Sequence, residues 1–81
     1  MRKYELLGMY ADSFGNLTKV FYDRENGCIV ILVYKLYRKS YKRVGYITVE
    51  TREEAKFISS VLTQYLDKLI SVNVGRKRKN F

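Results

Sequence analysis

Histidine is absent from this chain of 81 residues, and Cys28 is its single cysteine. The chain therefore offers no Cys/His metal set, no disulfide, and no Ser-His-Asp or Cys-His arrangement for nucleophilic catalysis. We expect a protein with no enzymatic activity, no small-molecule substrate, no metal and no cofactor. Cys28 opens an apolar stretch, where a free cysteine ordinarily serves as a small buried hydrophobe.

Long apolar runs are missing as well. The longest, Cys28–Tyr34, is far shorter than the roughly 20 residues of a membrane-crossing helix. Met1–Tyr10 lacks the continuous apolar core of a secretory leader. We expect an intracellular, cytoplasmic protein without a membrane partner. The absence of histidine, proline and tryptophan also suits a small viral or plasmid-encoded protein, which would act in its host cell.

Acidic residues are scarce relative to basic ones. Eight Asp and Glu against sixteen Lys and Arg give a formal charge of +8. Five of the cations lie between Lys35 and Arg43 and four between Arg76 and Lys79, and neither stretch contains an acid. Clustered positive charge of this kind favours a polyanionic partner, with nucleic acid ahead of an anionic membrane.

Four stretches have the composition of β-strands: Lys3–Tyr10, Leu17–Arg24, Cys28–Arg38 and Lys42–Glu50. Asn26-Gly27 predicts a tight turn after the second, because both residues tolerate positive φ. The third strand is apolar on both faces in its first half, which favours a central place in the sheet. Gly45 predicts a bulge or a close backbone approach. Simple alternation places Tyr4 and Tyr10 on the same side of the first strand.

A helix is predicted from Arg52 to Ser71, because Thr51 and Glu54 form a capping-box pattern ahead of a periodic apolar stripe. The stripe is wider than the about 100° that one sheet face requires. The excess could cover a curled sheet or meet a second copy, and we expect a homodimer whose interface contains Phe57, Val61 and Tyr65. The expected fold is therefore α+β, an antiparallel meander of three to four strands followed by one C-terminal amphipathic helix packed on the sheet. Residues 1–74 would form one domain and 75–81 a flexible basic tail.

The hairpin of the third and fourth strands is the candidate functional site. Its base is apolar, and its far half is basic and aromatic. Cations of this kind contact phosphates, and tyrosine rings stack on bases. We assign nucleic-acid contacts to Lys35, Tyr37, Arg38, Lys39, Tyr41, Lys42, Arg43 and Tyr46 in the hairpin, and to Arg76, Lys77, Arg78 and Lys79 in the tail. Four other tyrosines are interpreted as packing residues: Tyr4, Tyr10, Tyr22 and Tyr65.

DNA is favoured over RNA as the partner, and the residues leave open whether the target is single- or double-stranded. A transcription regulator or a single-strand-binding protein would fit. The alternative is a protein-interaction module, a small inhibitor or adaptor that docks the same basic hairpin on an acidic partner protein. The interpretation without a binding partner is an edge hairpin whose lysines and arginines only prevent aggregation.

The stretches YDRENGCIVILVYKLY and KRVGYITVETREEAKFISSVL, within Leu17–Leu69, resemble the Whirly-like single-stranded-DNA-binding fold of transcriptional coactivators. That resemblance implies four antiparallel strands and a helix that dimerises. The tryptophans of that family are missing, so Tyr34 and Tyr37 would replace them.

The stretch YKLYRKSYKRVGYITVETREEAKFI, within Asp23–Leu66, is similar to a second family, the three-stranded DNA-binding domain of phage-type integrases and plant Apetala proteins. That similarity implies a sheet that enters the major groove. The residues it would turn toward DNA are Lys35, Tyr37, Arg38, Lys42 and Arg43.

Overall fold

The computed structural model describes residues 2–69, in which four strands precede one helix. The strands are β1 (Tyr4–Ala11), β2 (Asn16–Asp23), β3 (Cys28–Tyr37) and β4 (Ser40–Val49). They form one antiparallel sheet in the order β1-β2-β3-β4, because each short connection brings the next strand alongside the last. The predicted α+β meander is confirmed, with every strand boundary within two residues of its predicted place. The predicted basic tail lies outside the described residues.

The turn between β2 and β3 is built around the Asp23 carboxylate, which is only 3% exposed. Its oxygens accept the backbone N–H groups of Glu25 (3.0 Å) and Asn26 (3.1 Å) and the Asn26 side-chain amide (2.9 Å). The hydrogen bond from the Asn26 side chain is the largest cause of a lowered pKa at Asp23, and the two backbone hydrogen bonds lower it further. The predicted hairpin is confirmed, but the predicted Asn-Gly geometry is wrong. Of Asn26 and Gly27, only Gly27 has a positive φ, +67°, because the Asp23 carboxylate itself organises the turn.

The turn between β1 and β2 uses a second aspartate in the same way. Asp12 accepts the N–H groups of Phe14 (2.9 Å) and Asn16 (3.1 Å) and the Asn16 side-chain amide (2.9 Å). The Asn16 side chain is the largest cause of a pKa of about 2 at Asp12. Gly15 is buried with φ +86°, and its carbonyl accepts the N–H of Leu36 at 2.8 Å. This bond ties the turn to β3.

Two bulges change which side chains share a face of the sheet. Leu7 on β1 and Val44 on β4 have no partner across the pairing, so alternation is reset at each. The bulge predicted near Gly45 is confirmed, whereas the close backbone approach is not found there. Tyr10 lies on the opposite face from Tyr4, so the expectation that they share a side was wrong.

Each face of the sheet takes its name here from a residue of β4. The Tyr46 face includes Tyr4, Lys19, Phe21, Val30, Leu32, Tyr34, Tyr41, Arg43 and Tyr46. The Val49 face includes Tyr10, Ile29, Ile31, Lys35, Tyr37, Lys42 and Ile47. β3 is an inner strand, as its two apolar faces predicted. Among residues 2–69, the buried apolar side chains are Cys28 and Val49. Burial raises the pKa of the Cys28 thiol, which keeps it protonated, as suits the predicted hydrophobe.

Helix α1 (Arg52–Gln64) begins directly after Thr51, as predicted, with Glu53 and Glu54 in its first turn. The predicted α-helical extension to Ser71 was wrong within the described residues. After Gln64 the chain tightens into a 3-10 turn, Leu66–Lys68, in which hydrogen bonds span three residues. Leu69 is already extended, at φ −89° and ψ 145°. No helix in residues 2–69 has the length and apolar content that crossing a membrane requires.

Candidate nucleic-acid interface

The hairpin end, defined as Lys35–Arg43, extends only slightly beyond the rest of the sheet. Lys35 still pairs with Asn16 of β2, and the next two residue pairs belong to β3 and β4 alone. The sequence predicted that the third strand ends at Arg38 and the fourth begins at Lys42, joined by a short basic turn over Arg38–Lys42, and that turn is longer than the one in the structure. Tyr37 pairs directly with Ser40, so that Arg38 and Lys39 form a two-residue connection. The shorter connection places both cations at the tip.

Arg38 adopts a left-handed backbone, with φ +59°. A residue with a Cβ pays about 1–2 kcal/mol for that conformation, which glycine adopts freely and asparagine more readily. Such strain in a tip residue is a reason to look for a role of its side chain. Its guanidinium carbon lies 5.4 Å from the centre of the Tyr37 ring. The strained position thus holds a cation against an aromatic surface.

Lys35 and Lys42 are direct cross-strand partners on the Val49 face. Like charges placed opposite each other destabilise a sheet by up to about 1 kcal/mol. Lys35 donates a hydrogen bond to the side-chain carbonyl of Asn16, and the Lys42 ammonium lies 5.1 Å from the centre of the Tyr37 ring. Tyr37 therefore contacts two cations, and an anion bound between the lysines would relieve their repulsion.

Ion pairs do not neutralise this cluster. The ion pairs of the sheet join Lys3 to Glu25 (3.5 Å) and Arg24 to Glu5 (3.1 Å), and both lie close to the turn between β2 and β3. Within residues 2–69, no ion pair involves any of the five cations of the hairpin end. Its charge is therefore available to a ligand from solution.

The predicted site residues converge on one end of the sheet but not on one face. Lys35, Tyr37 and Lys42 lie on the Val49 face, Tyr41, Arg43 and Tyr46 lie on the Tyr46 face, and Arg38 and Lys39 lie at the tip. Tyr46 is the most distant from the tip, opposite Leu32. All eight are exposed. The other four predicted contacts, Arg76, Lys77, Arg78 and Lys79, lie outside the described residues.

A concavity on the Tyr46 face was not foreseen from the sequence. It has a volume of about 430 Å³ and is lined by Tyr4, Phe21, Val30, Leu32, Arg43 and Tyr46. The Tyr4 and Phe21 rings meet edge to face, with centres 6.3 Å apart. Tyr4, expected to be a core or half-buried packing residue, is 47% exposed with its ring against Phe21, and Tyr10, Tyr22 and Tyr65 are 53%, 37% and 47% exposed, so none of the four lies in a core. Strand register was the missing signal, because it alone brings Tyr4 and Tyr46 to one face.

Residues 2–69 contain no group of three His, Cys, Asp or Glu side chains placed to hold a metal ion. No protein-family model matches the chain, and no match was found among curated proteins or solved structures. The resemblances to the Whirly-like and integrase-type families therefore stay predictions.

Proposed function

We propose that this protein binds nucleic acid without enzymatic activity, with DNA as the favoured target. The observation that supports this most is the opposition of Lys35 and Lys42 beside the strained Arg38. Both features cost stability in the isolated protein; a phosphate chain laid along the hairpin end would relieve the repulsion between the lysines, and the strained Arg38 places a cation at the tip where it can contact the same chain. Lys39 at the tip and Arg43 on the opposite, Tyr46 face carry further positive charge at the same end of the sheet.

The two classes of side chain at the hairpin end have different roles in this proposal. Lysine and arginine contact phosphates and release condensed counterions, which supplies affinity with little regard to sequence. Tyr41 and Tyr46 are exposed on the Tyr46 face and can stack on bases. Tyr37 is different because its ring already contacts Arg38 and Lys42, so it positions these cations. Sequence preference is expected to be modest.

Salt dependence tests the proposal directly. If about six phosphates are contacted, affinity for a DNA oligonucleotide should fall by on the order of 10³ between about 50 and 200 mM salt. Fluorescence anisotropy titrations across that range measure the slope of log affinity against log salt. A flat response would exclude counterion release as the source of affinity, and with it the proposed role of the hairpin end.

We also propose that the protein is a homodimer that associates through α1. Phe57, Val61 and Tyr65 follow one another at intervals of four, and Tyr65 donates its N–H to the Val61 carbonyl at 3.0 Å, so they lie along one side of the helical path. Phe57 is 69% exposed, which is unusual for so large an apolar side chain. A second copy presenting the same stripe would cover it.

Replacing Phe57 with lysine should therefore convert a dimer into a monomer in sedimentation at micromolar concentration. Thr63→Lys adds the same charge on the opposite side of α1 and should leave the dimer intact. A wild-type protein that sediments as a monomer would remove this proposal without affecting the hairpin end.

A further inference from the structure

The concavity of the Tyr46 face combines three kinds of surface in one place. Val30 and Leu32 form an aliphatic floor on the central strand β3, and Tyr4, Phe21 and Tyr46 contribute aromatic rings from three different strands. Arg43 is the one cation among the lining residues that the structure describes. Its volume of about 430 Å³ lies within the roughly 300–1,000 Å³ usual for small-molecule sites. Such a lining suits a planar apolar ring that carries an anionic group.

Arg43 reaches this face only because of the bulge at Val44. Without it, Arg43 would alternate with Gly45 and Ile47 and project from the Val49 face. With it, Arg43 pairs with Tyr34 on the Tyr46 face, where Lys19 also lies, its ammonium 5.5 Å from the centre of the Tyr34 ring. The backbone irregularity thus adds a guanidinium to an otherwise aromatic and aliphatic surface.

Carboxylates are nearly absent from the same face. Among the described strands, Asp23 is the one acid of this face, and it is 3% exposed with its oxygens bonded inside the turn between β2 and β3. Lys19 and Arg43 therefore give the face an uncompensated positive charge. A guanidinium next to aromatic rings is well suited to a ligand in which a sugar joins a flat ring to a phosphate, because it can bind the anion with two parallel hydrogen bonds.

We propose that this concavity binds one nucleotide of a single strand, with the base against Tyr46 and the aliphatic floor and the phosphate at Arg43. The inference deepens the proposed nucleic-acid binding and rests on it. An unpaired base is required, since the ring faces of a base-paired duplex are stacked and hidden. The hairpin end would then hold neighbouring phosphates while the concavity holds a base.

A second copy of the chain fits this surface less well. A symmetric pair of Tyr46 faces would bring Arg43 and Lys19 of each copy toward the same cations of the other. The four described strands place no exposed carboxylate on that face to neutralise them. Burying unpaired charge in this way is costly, whereas a phosphate supplies the missing partner.

The test uses the full chain with labelled oligothymidine, with a duplex of matched length, and with thymidine monophosphate. The oligothymidine should bind at least about tenfold more tightly than the duplex. Tyr46→Ala should weaken oligothymidine binding by about 10–100-fold, the worth of one stacked base. Tyr46→Phe keeps the ring and should retain affinity. Tyr10→Ala removes a similarly exposed tyrosine from the other face and should change affinity less than about twofold.

Each result of these experiments either supports or overturns the nucleotide site in the concavity. If thymidine monophosphate shifts the amide resonances of Leu32 and Tyr46, the concavity accepts a nucleotide on its own; shifts that appear only with the oligonucleotide show that it requires a strand. Unchanged oligothymidine affinity in Tyr46→Ala overturns the inference, and so does preference for duplex. If the wild type binds no oligonucleotide at all, the proposed function fails instead. If the oligonucleotide still binds the Tyr46→Ala variant but no longer binds a variant without the hairpin cations, the proposed nucleic-acid binding is supported and the nucleotide site in the concavity is not.

Discussion

Removal of four cations from the hairpin end should lower affinity for DNA by on the order of 10³ at about 0.1 M salt. The variant combines Arg38→Gly with Lys39→Ala, Lys42→Ala and Arg43→Ala. If each cation contacts one phosphate, the slope of log affinity against log salt should become shallower by about 3–4, which anisotropy titrations measure. Arg38 is replaced by glycine because its φ of +59° strains any residue with a Cβ.

The same variant should fold at least as well as the wild type. Loss of Lys42 removes the repulsion with Lys35, and Arg38→Gly relieves the strain at the tip, so we expect a melting temperature unchanged within about 4 °C or raised. A stable protein that no longer binds would separate the role of these residues in binding from any role in folding.

A matched variant controls for net charge. Arg2, Arg52, Lys56 and Lys68 lie away from the hairpin end in the sequence, and their joint replacement by alanine removes the same four charges. It should lose much less affinity, because only cations that contact phosphates release counterions in proportion to their number. Equal losses in the two variants would show that binding depends on overall charge and that the hairpin end was wrongly assigned.

The order of strands and helix could be predicted because it depends on local signals. Alternating β-formers with turn residues between them defined each strand to within two residues, and Thr51 ahead of Glu53 and Glu54 marked the start of α1. The turns were less predictable. Asp23 lies one residue before the end of the predicted strand Leu17–Arg24, yet its carboxylate organises the turn that Asn26-Gly27 was expected to form alone. A side chain that bonds to the backbone three residues ahead leaves little trace in composition.

The site was predicted in residue type but not in arrangement. Clustered charge identified Lys35, Lys42 and Arg43, but the bulge at Val44 decides that Lys42, and not Arg43, shares the Val49 face with Lys35. A one-residue irregularity moves every later side chain to the other side of the strand, and Gly45 only hinted at its place. Tyr4 was missed for a related reason. It is far from Tyr46 in sequence, and only the register of all four strands brings the two rings to one concavity.

Among the four glycines of residues 2–69, Gly15 should show the largest loss of stability when it is replaced by alanine. The backbone at Gly15 has φ +86°, where a Cβ costs about 1–2 kcal/mol, and that Cβ would lie 3.0 Å from Cβ of Leu36. Because the Leu36 Cβ is fixed to the backbone of β3, relief requires a strand to shift. We expect a total loss of about 2–3 kcal/mol, and thermal unfolding should show a melting temperature lower by roughly 10–20 °C.

Three further glycines make this a graded series. Gly27 has φ +67° but only the Tyr22 hydroxyl near its Cβ position, at 4.0 Å, so Gly27→Ala should cost the backbone term of about 1–2 kcal/mol alone. Gly8 and Gly45 have neither a positive φ nor any atom within 4 Å of that position, and alanine there should be neutral or stabilising by up to about 1 kcal/mol. If Gly15→Ala has the same melting temperature as Gly27→Ala, the contact with Leu36 contributes nothing to stability. If its melting temperature equals that of Gly45→Ala, the turn does not hold the hairpin end at all.

The stability of this turn matters for binding, because the Gly15 carbonyl accepts the N–H of Leu36 at 2.8 Å beside Lys35. Faster hydrogen exchange at Leu36 in Gly15→Ala should therefore accompany weaker DNA binding at temperatures where the rest of the sheet is still folded.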